Sequence, residues 1–155
     1  MSDLSGAAST VIAAPPERCF AIAADVERAP EWQGAMRSAR AIAHDAAGRP
    51  LLVETEIDAL VAQVSLVLRF SYDEPHGLRW SREAGDLKGL EGSWRFEPTD
   101  DGGTRATYAL DIRLNRVLAL LRKGVRGPAE ARVRALLADR PLEGLKREAE
   151  RVSVG

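Results

Sequence analysis

Between Leu87 and Leu114, apolar and polar residues alternate with a period of two on either side of a short acidic, glycine-containing segment. In the first arm Leu90, Trp94 and Phe96 share one face, and Glu91, Ser93, Arg95 and Glu97 share the other. In the second arm Ala106, Tyr108, Leu110, Ile112 and Leu114 alternate with Arg105, Thr107, Ala109, Asp111 and Arg113. Strand side chains point to opposite faces in turn, so this pattern predicts a β-hairpin with one dry face and one wet face. Pro98 cannot donate to a ladder and ends the first arm. Asp100-Asp101-Gly102-Gly103 supplies turn residues that tolerate positive φ.

Upstream the same period recurs with interruptions. Ala7 to Ala13 reads as a short strand stopped by Ala14-Pro15-Pro16-Glu17, where Pro16 is pre-set for a first helical turn and Glu17 suits the positive helix end. Cys19, Phe20, Ala23 and Ala24 then fall at helical spacing, and Asp25 is the expected cap of a second short helix, Glu27 to Trp32. From Ala35 to His44 the alternation is weaker, with Ala39, Ala41 and Ala43 inward against Arg40, Ile42 and His44. Leu51 to Ala59 places Val53, Thr55 and Ile57 on one face, and the turn that follows, near Leu60-Val61-Ala62, carries no glycine, proline or asparagine. Val64, Leu66, Leu68, Phe70 and Tyr72 form the next inward set. Asp73 to Gly77 turns the chain into Leu78 and Trp80, and Gly85-Asp86 leads into the hairpin.

After Leu114 the period lengthens. Val117, Leu118, Leu120 and Leu121 form an apolar cluster ended by Gly124 and Gly127-Pro128; it reads as a lid or partner surface, or as a short helix closing the core. From Pro128 onward Ala129, Val133, Leu136, Leu137, Leu142, Leu145, Ala149 and Val152 recur at three- and four-residue steps, the signature of a long amphipathic helix. Pro141 is expected to kink or restart it near Asp139-Arg140. The fold class is therefore α+β: a curved antiparallel sheet of about seven strands wrapped around a long C-terminal helix, with two short helices between strands 1 and 2. Residues 1–155 read as one domain with loose termini at 1–6 and 153–155. Alanines at inward positions leave room for a cavity between sheet and helix.

Composition narrows the function. A net charge of −1, from 22 basic and 23 acidic residues that are interspersed, gives little pull toward nucleic acid or acidic lipid. The lone Cys19 cannot form an internal disulfide and fits a reducing compartment. No apolar run approaches the roughly 20 residues of a membrane span, and the first residues do not read as a secretory signal, so a cytoplasmic location is expected. Walker, Gly-x-Ser-x-Gly and His-Glu-x-x-His motifs are absent, and one Cys with two His cannot build a standard zinc site; no metal or organic cofactor is expected. His44 and His76 read as outward-facing, and Cys19 as a small core residue.

Arg82 and Lys88 continue the inward phases of their strands. A cation there meets an anion, a ligand or water, or lies at a strand end and extends outward. In the functional reading Arg82 anchors a polar ligand head while Val53, Leu66, Phe70, Trp80, Trp94, Tyr108 and Leu137 surround an apolar body. Tyr72 and Tyr108 are hydroxyl donors or core tyrosines. Trp32 is a gate or a staple for the second short helix, and Gly92 is the place for a strand bend.

Ala14-Pro15-Pro16-Glu17-Arg18-Cys19-Phe20 with Asp25-Val26-Glu27-Arg28-Ala29-Pro30-Glu31-Trp32 resembles the opening of the START-like polyketide cyclase/dehydrase and lipid-transport superfamily. Leu78-Arg79-Trp80, Gly92-Ser93-Trp94-Arg95-Phe96-Glu97-Pro98 with Gly102-Gly103-Thr104, and Leu142-Glu143-Gly144-Leu145-Lys146 are similar to the same family. The resemblance spans about Ser9 to Glu150 and implies a helix-grip fold around a hydrophobic cavity. Members bind lipids, quinones, hormones or polyketides, and a minority are cyclases or hydrolases. Three expectations follow: a carrier of a hydrophobic small molecule; a cyclase/dehydratase in which Arg82 stabilises an enolate and Tyr108 or a water relays a proton; or an interaction module, with a homodimer among its forms. Pro141 and the leucine-rich segment 117–121 depart from the family pattern.

Overall fold

The computed structural model describes residues 4–59, 62–114 and 128–151. Among them, seven strands form one antiparallel sheet: β1 (Leu4–Ile12), β2 (Met36–His44), β3 (Pro50–Ala59), β4 (Ala62–Asp73), β5 (Gly77–Gly85), β6 (Gly89–Pro98) and β7 (Thr104–Arg113). Their spatial order is β1-β7-β6-β5-β4-β3-β2, so β2 to β7 run as a meander and β1 closes onto the last strand. Helix α1 (Pro16–Ala24) and a 3-10 turn (Val26–Glu31) carry the chain from one edge of the curved sheet to the other. They form the expected plug. Helix α2 (Pro128–Arg151) packs against β1, β7 and α1. This is the expected helix-grip architecture.

Several details differ from expectation. β1 includes Leu4, Ser5 and Gly6 ahead of the expected start at Ala7, because they pair with Ile112, Asp111 and Leu110; residues 4–6 of the expected loose N-terminus thus belong to the sheet. The second short helix is a 3-10 turn ending at Glu31, and the Asp25 side chain makes no capping hydrogen bond to it. The turn expected near 60–62 includes residues 60–61, outside the described part, and Ala59 pairs with Ala62 across it. The cluster at 117–121 also lies outside the described residues. Helix α2 runs without interruption through Pro141. The ring forfeits one intrahelical hydrogen bond, but it is buried, and Leu142, Gly144 and Leu145 are buried beside it. Tertiary packing therefore outweighs the local preference.

Two close approaches fix α2. Ala138, Leu142, Leu145 and Ala149 form its buried stripe, at steps of four, three and four residues. A Cβ on Gly144 would overlap the Trp32 carbonyl, so glycine lets the helix touch the backbone after the 3-10 turn. Polar ties complete the joint. Lys146 Nζ donates to the Val11 carbonyl at 2.7 Å, the Ala13 amide donates to Glu150 Oε2 at 2.9 Å, and Arg18 Nε donates to the Ala149 carbonyl at 2.8 Å. At the plugged end Thr104, fully buried, donates its hydroxyl to the Ala14 carbonyl at 2.7 Å. Cys19 is buried beside it, and burial pushes its thiol above the usual range.

Candidate functional site

Strand register sorts the inner face into rows. The first runs Tyr72, Leu78, Trp94, Tyr108 and Ala8 across β4, β5, β6, β7 and β1. The second is Phe70, Trp80, Gly92, Leu110 and Gly6. The third brings Val53, Leu68 and Arg82 side by side. Alternation by two puts all of these positions on one face, the one that α2 packs against at β1 and β7.

Rows one and two hold a continuous aromatic wall. Trp94 meets Tyr108 edge-on at 4.7 Å between ring centroids, Tyr108 meets Trp80 at 5.7 Å, and Trp80 meets Phe70 at 5.8 Å. Phe70 stacks on Tyr72 at 6.3 Å, and Trp94 also contacts Trp32 at 6.1 Å. Gly92 makes this possible. A Cβ there would overlap the Trp80 indole, so the ring lies across β6 where any other residue would stand. The glycine expected to mark a bend is thus the seat of an aromatic ring. Trp32 is buried between Trp94 and α2, which is the staple role.

Polar groups on this face are few. Tyr108 is buried, and burial pushes its phenol well above the ordinary range, so it is a neutral hydroxyl and a weaker proton donor than a free phenol. Tyr72 donates its hydroxyl to the Pro50 carbonyl at 2.7 Å; burial, then the nearby Asp45 carboxylate, push its pKa up too. Arg82 is half-buried on the inner face. Its Nη2 donates to the Gly85 carbonyl at 2.9 Å, while its Nε is buried with no hydrogen-bond partner among the described residues. Lys88 shares the expected phase but is exposed: β6 begins only at Gly89, leaving Lys88 at the strand end.

Of the ligand-lining candidates, Val53, Leu66, Phe70, Trp80, Trp94 and Tyr108 are buried on the inner face. Leu137 falls in α2, but its side chain lies outside the described part. Arg82 and Tyr108 stand two strands and two rows apart, about 16 Å at the backbone by ordinary strand spacings. Sequence reasoning missed Arg49. Its guanidinium lies 4.9 Å from the Phe20 ring and 5.3 Å from the Tyr72 ring and pairs with Glu74, fastening α1 to the sheet. A residue just after a turn carries no periodic signal of such a contact.

A concavity lies on the opposite, wet face. It is a groove of about 510 Å³ whose lining includes Arg69, Ser71, Arg79, Ser81, Glu91 and Ser93. Leu51 and Ala109 also line it, so charged and apolar groups are mixed there. Among the described residues no group of three or more His, Cys, Asp or Glu could hold a metal, and no described helix is long and apolar enough to cross a membrane.

The family model described as polyketide cyclase / dehydrase and lipid transport matches residues 12–138. This chain belongs to that family. A search of curated proteins finds no match. Among solved structures, a START superfamily protein from Mycobacterium smegmatis superposes with a TM-score of 0.80 at 17% identity, covering 96% of this chain and 98% of that one. TTHA0849 from Thermus thermophilus gives 0.75 at 26% identity, covering 96% and 99%. The Zhui aromatase/cyclase from Streptomyces sp. R1128 gives 0.73 at 16%, covering 96% and 94%. Membership of the polyketide cyclase / dehydrase and lipid transport family supports hydrophobic ligand binding or cyclase-type function in general.

Proposed function

We propose that this chain binds a hydrophobic small molecule, of the size of a lipid, a quinone or an aromatic polyketide, between the inner face of its sheet and α2. The observation that carries this reading is the aromatic wall itself. Five rings in contact, from Trp94 through Tyr108, Trp80 and Phe70 to Tyr72, line one face with almost no polar interruption. Such walls, with a few placed polar groups, are what apolar ligands require.

The rows also bear on a cyclase. With Arg82 and Tyr108 separated by two strands and two rows, they favour contact with different parts of one bound molecule over convergence on one reacting atom. Burial holds the Tyr108 phenol protonated and makes it a weak acid, which suits a hydrogen-bond donor to a ligand more than a proton relay. Binding is therefore the preferred reading.

Native mass spectrometry of gently purified protein, with extraction of any bound mass, tests it. Titration with a naphthoquinone, read by quenching of tryptophan emission, supplies an independent measure. Saturable quenching that weakens in Trp80→Leu is expected. No co-purified mass together with no saturable quenching would overturn the proposal.

A further inference from the structure

We infer that the ligand carries an acidic oxygen head, a carboxylate or an ionised enol or phenol, and that Arg82 reads it. The inference rests on the binding site proposed above and specifies what enters it. An arginine that merely reaches solvent from a strand end would leave its nitrogens exposed. Here Nε is buried without a hydrogen-bond partner among the described residues, which leaves a charged donor desolvated on an apolar face.

The backbone around Arg82 is built to hold it so. Leu68 lies opposite Arg82 and Val67 opposite Ala84, which makes Glu83 the extra residue of a β-bulge in β5. On the wet face Glu83 receives Arg69 through two nitrogens, at 3.0 and 3.1 Å, and so anchors the bulge from outside. Gly85 follows at φ 124°, and a Cβ there would overlap the Ser65 carbonyl. Its own carbonyl takes Arg82 Nη2 at 2.9 Å. The guanidinium is thus tethered at one nitrogen. Nε remains to be satisfied, and no carboxylate pairs with Arg82 among the described residues. A planar fork with free donors matches an anionic oxygen better than a neutral hydroxyl.

Two matched pairs of probes test this: dodecanoate against dodecan-1-ol, and 2-naphthoate against naphthalen-2-ylmethanol, each titrated while tryptophan emission is read. In the unmodified protein the acid of each pair should bind roughly tenfold or more tightly than its alcohol, the size expected of a charge-assisted hydrogen bond. Arg82→Gln should remove that preference while leaving the alcohols within about twofold. Arg82→Lys should keep part of it, because it retains the charge and loses the fork. Equal binding of acid and alcohol by the unmodified protein overturns this inference alone. An equal loss of acid and alcohol binding in Arg82→Gln overturns it too, since that is a structural role. Failure of all four probes to bind overturns the underlying site and the inference together.

Discussion

At the scale of single residues, glycine and threonine carry more of this site than their size suggests. Gly92→Ala forces the Trp80 indole off β6, where the surrounding rings leave it little room. The expected cost is about 1–3 kcal/mol, with altered tryptophan emission, as chemical denaturation would measure. Thr104→Val removes the donor to the Ala14 carbonyl in a fully buried place and should cost about 1–3 kcal/mol in the same assay. The sequence displayed some residues well. Phe70, Trp80, Trp94 and Tyr108 were legible because strict alternation assigns a face without knowledge of the partner strand. Lys88 was not, because alternation does not say where a strand ends. The seating of Trp80 on Gly92 was equally hidden, since it depends on the register between two strands.

Among elements, the joint between α2 and the plugged end of the sheet is the one most exposed to pH. The Glu150 carboxyl is held below its ordinary range, first by the Ala13 amide and then by Lys146. A carboxylate depressed in the folded state stabilises it above the unfolded value, near 4.5, and that contribution fades as pH falls through the lower folded value. The difference in melting temperature between the unmodified protein and Glu150→Gln should therefore be present at neutral pH and shrink below about pH 4. Equal differences at both pH values would remove Glu150 from this account. The length and polarity of α2 were legible from its three- and four-residue steps. Its continuity through Pro141 was not, because the burial that offsets the lost hydrogen bond comes from other elements.

Over the whole molecule, apolar burial rather than surface charge holds the structure together. Arg28–Glu31, Arg37–Asp58, Arg40–Glu54 and Arg69–Glu83 are all exposed pairs, which water and dissolved ions screen. Raising sodium chloride from low concentration to about 1 M should thus shift the denaturation midpoint only slightly. The overall architecture was readable because meander, plug and terminal helix each left a distinct period in the chain. The closing strand was the weak point. β1 is nearly all small residues, Leu4-Ser5-Gly6-Ala7-Ala8-Ser9-Thr10-Val11-Ile12, and its start is set by β7, not by its own pattern.

That pairing has a consequence for how the protein comes into being. Leu4 pairs with Ile112, so β1 has no strand neighbour until nearly the whole meander has been synthesised. Contacts so distant along the chain make for slow folding. Throughout that interval a segment without a single charge offers its unpaired edge to other chains.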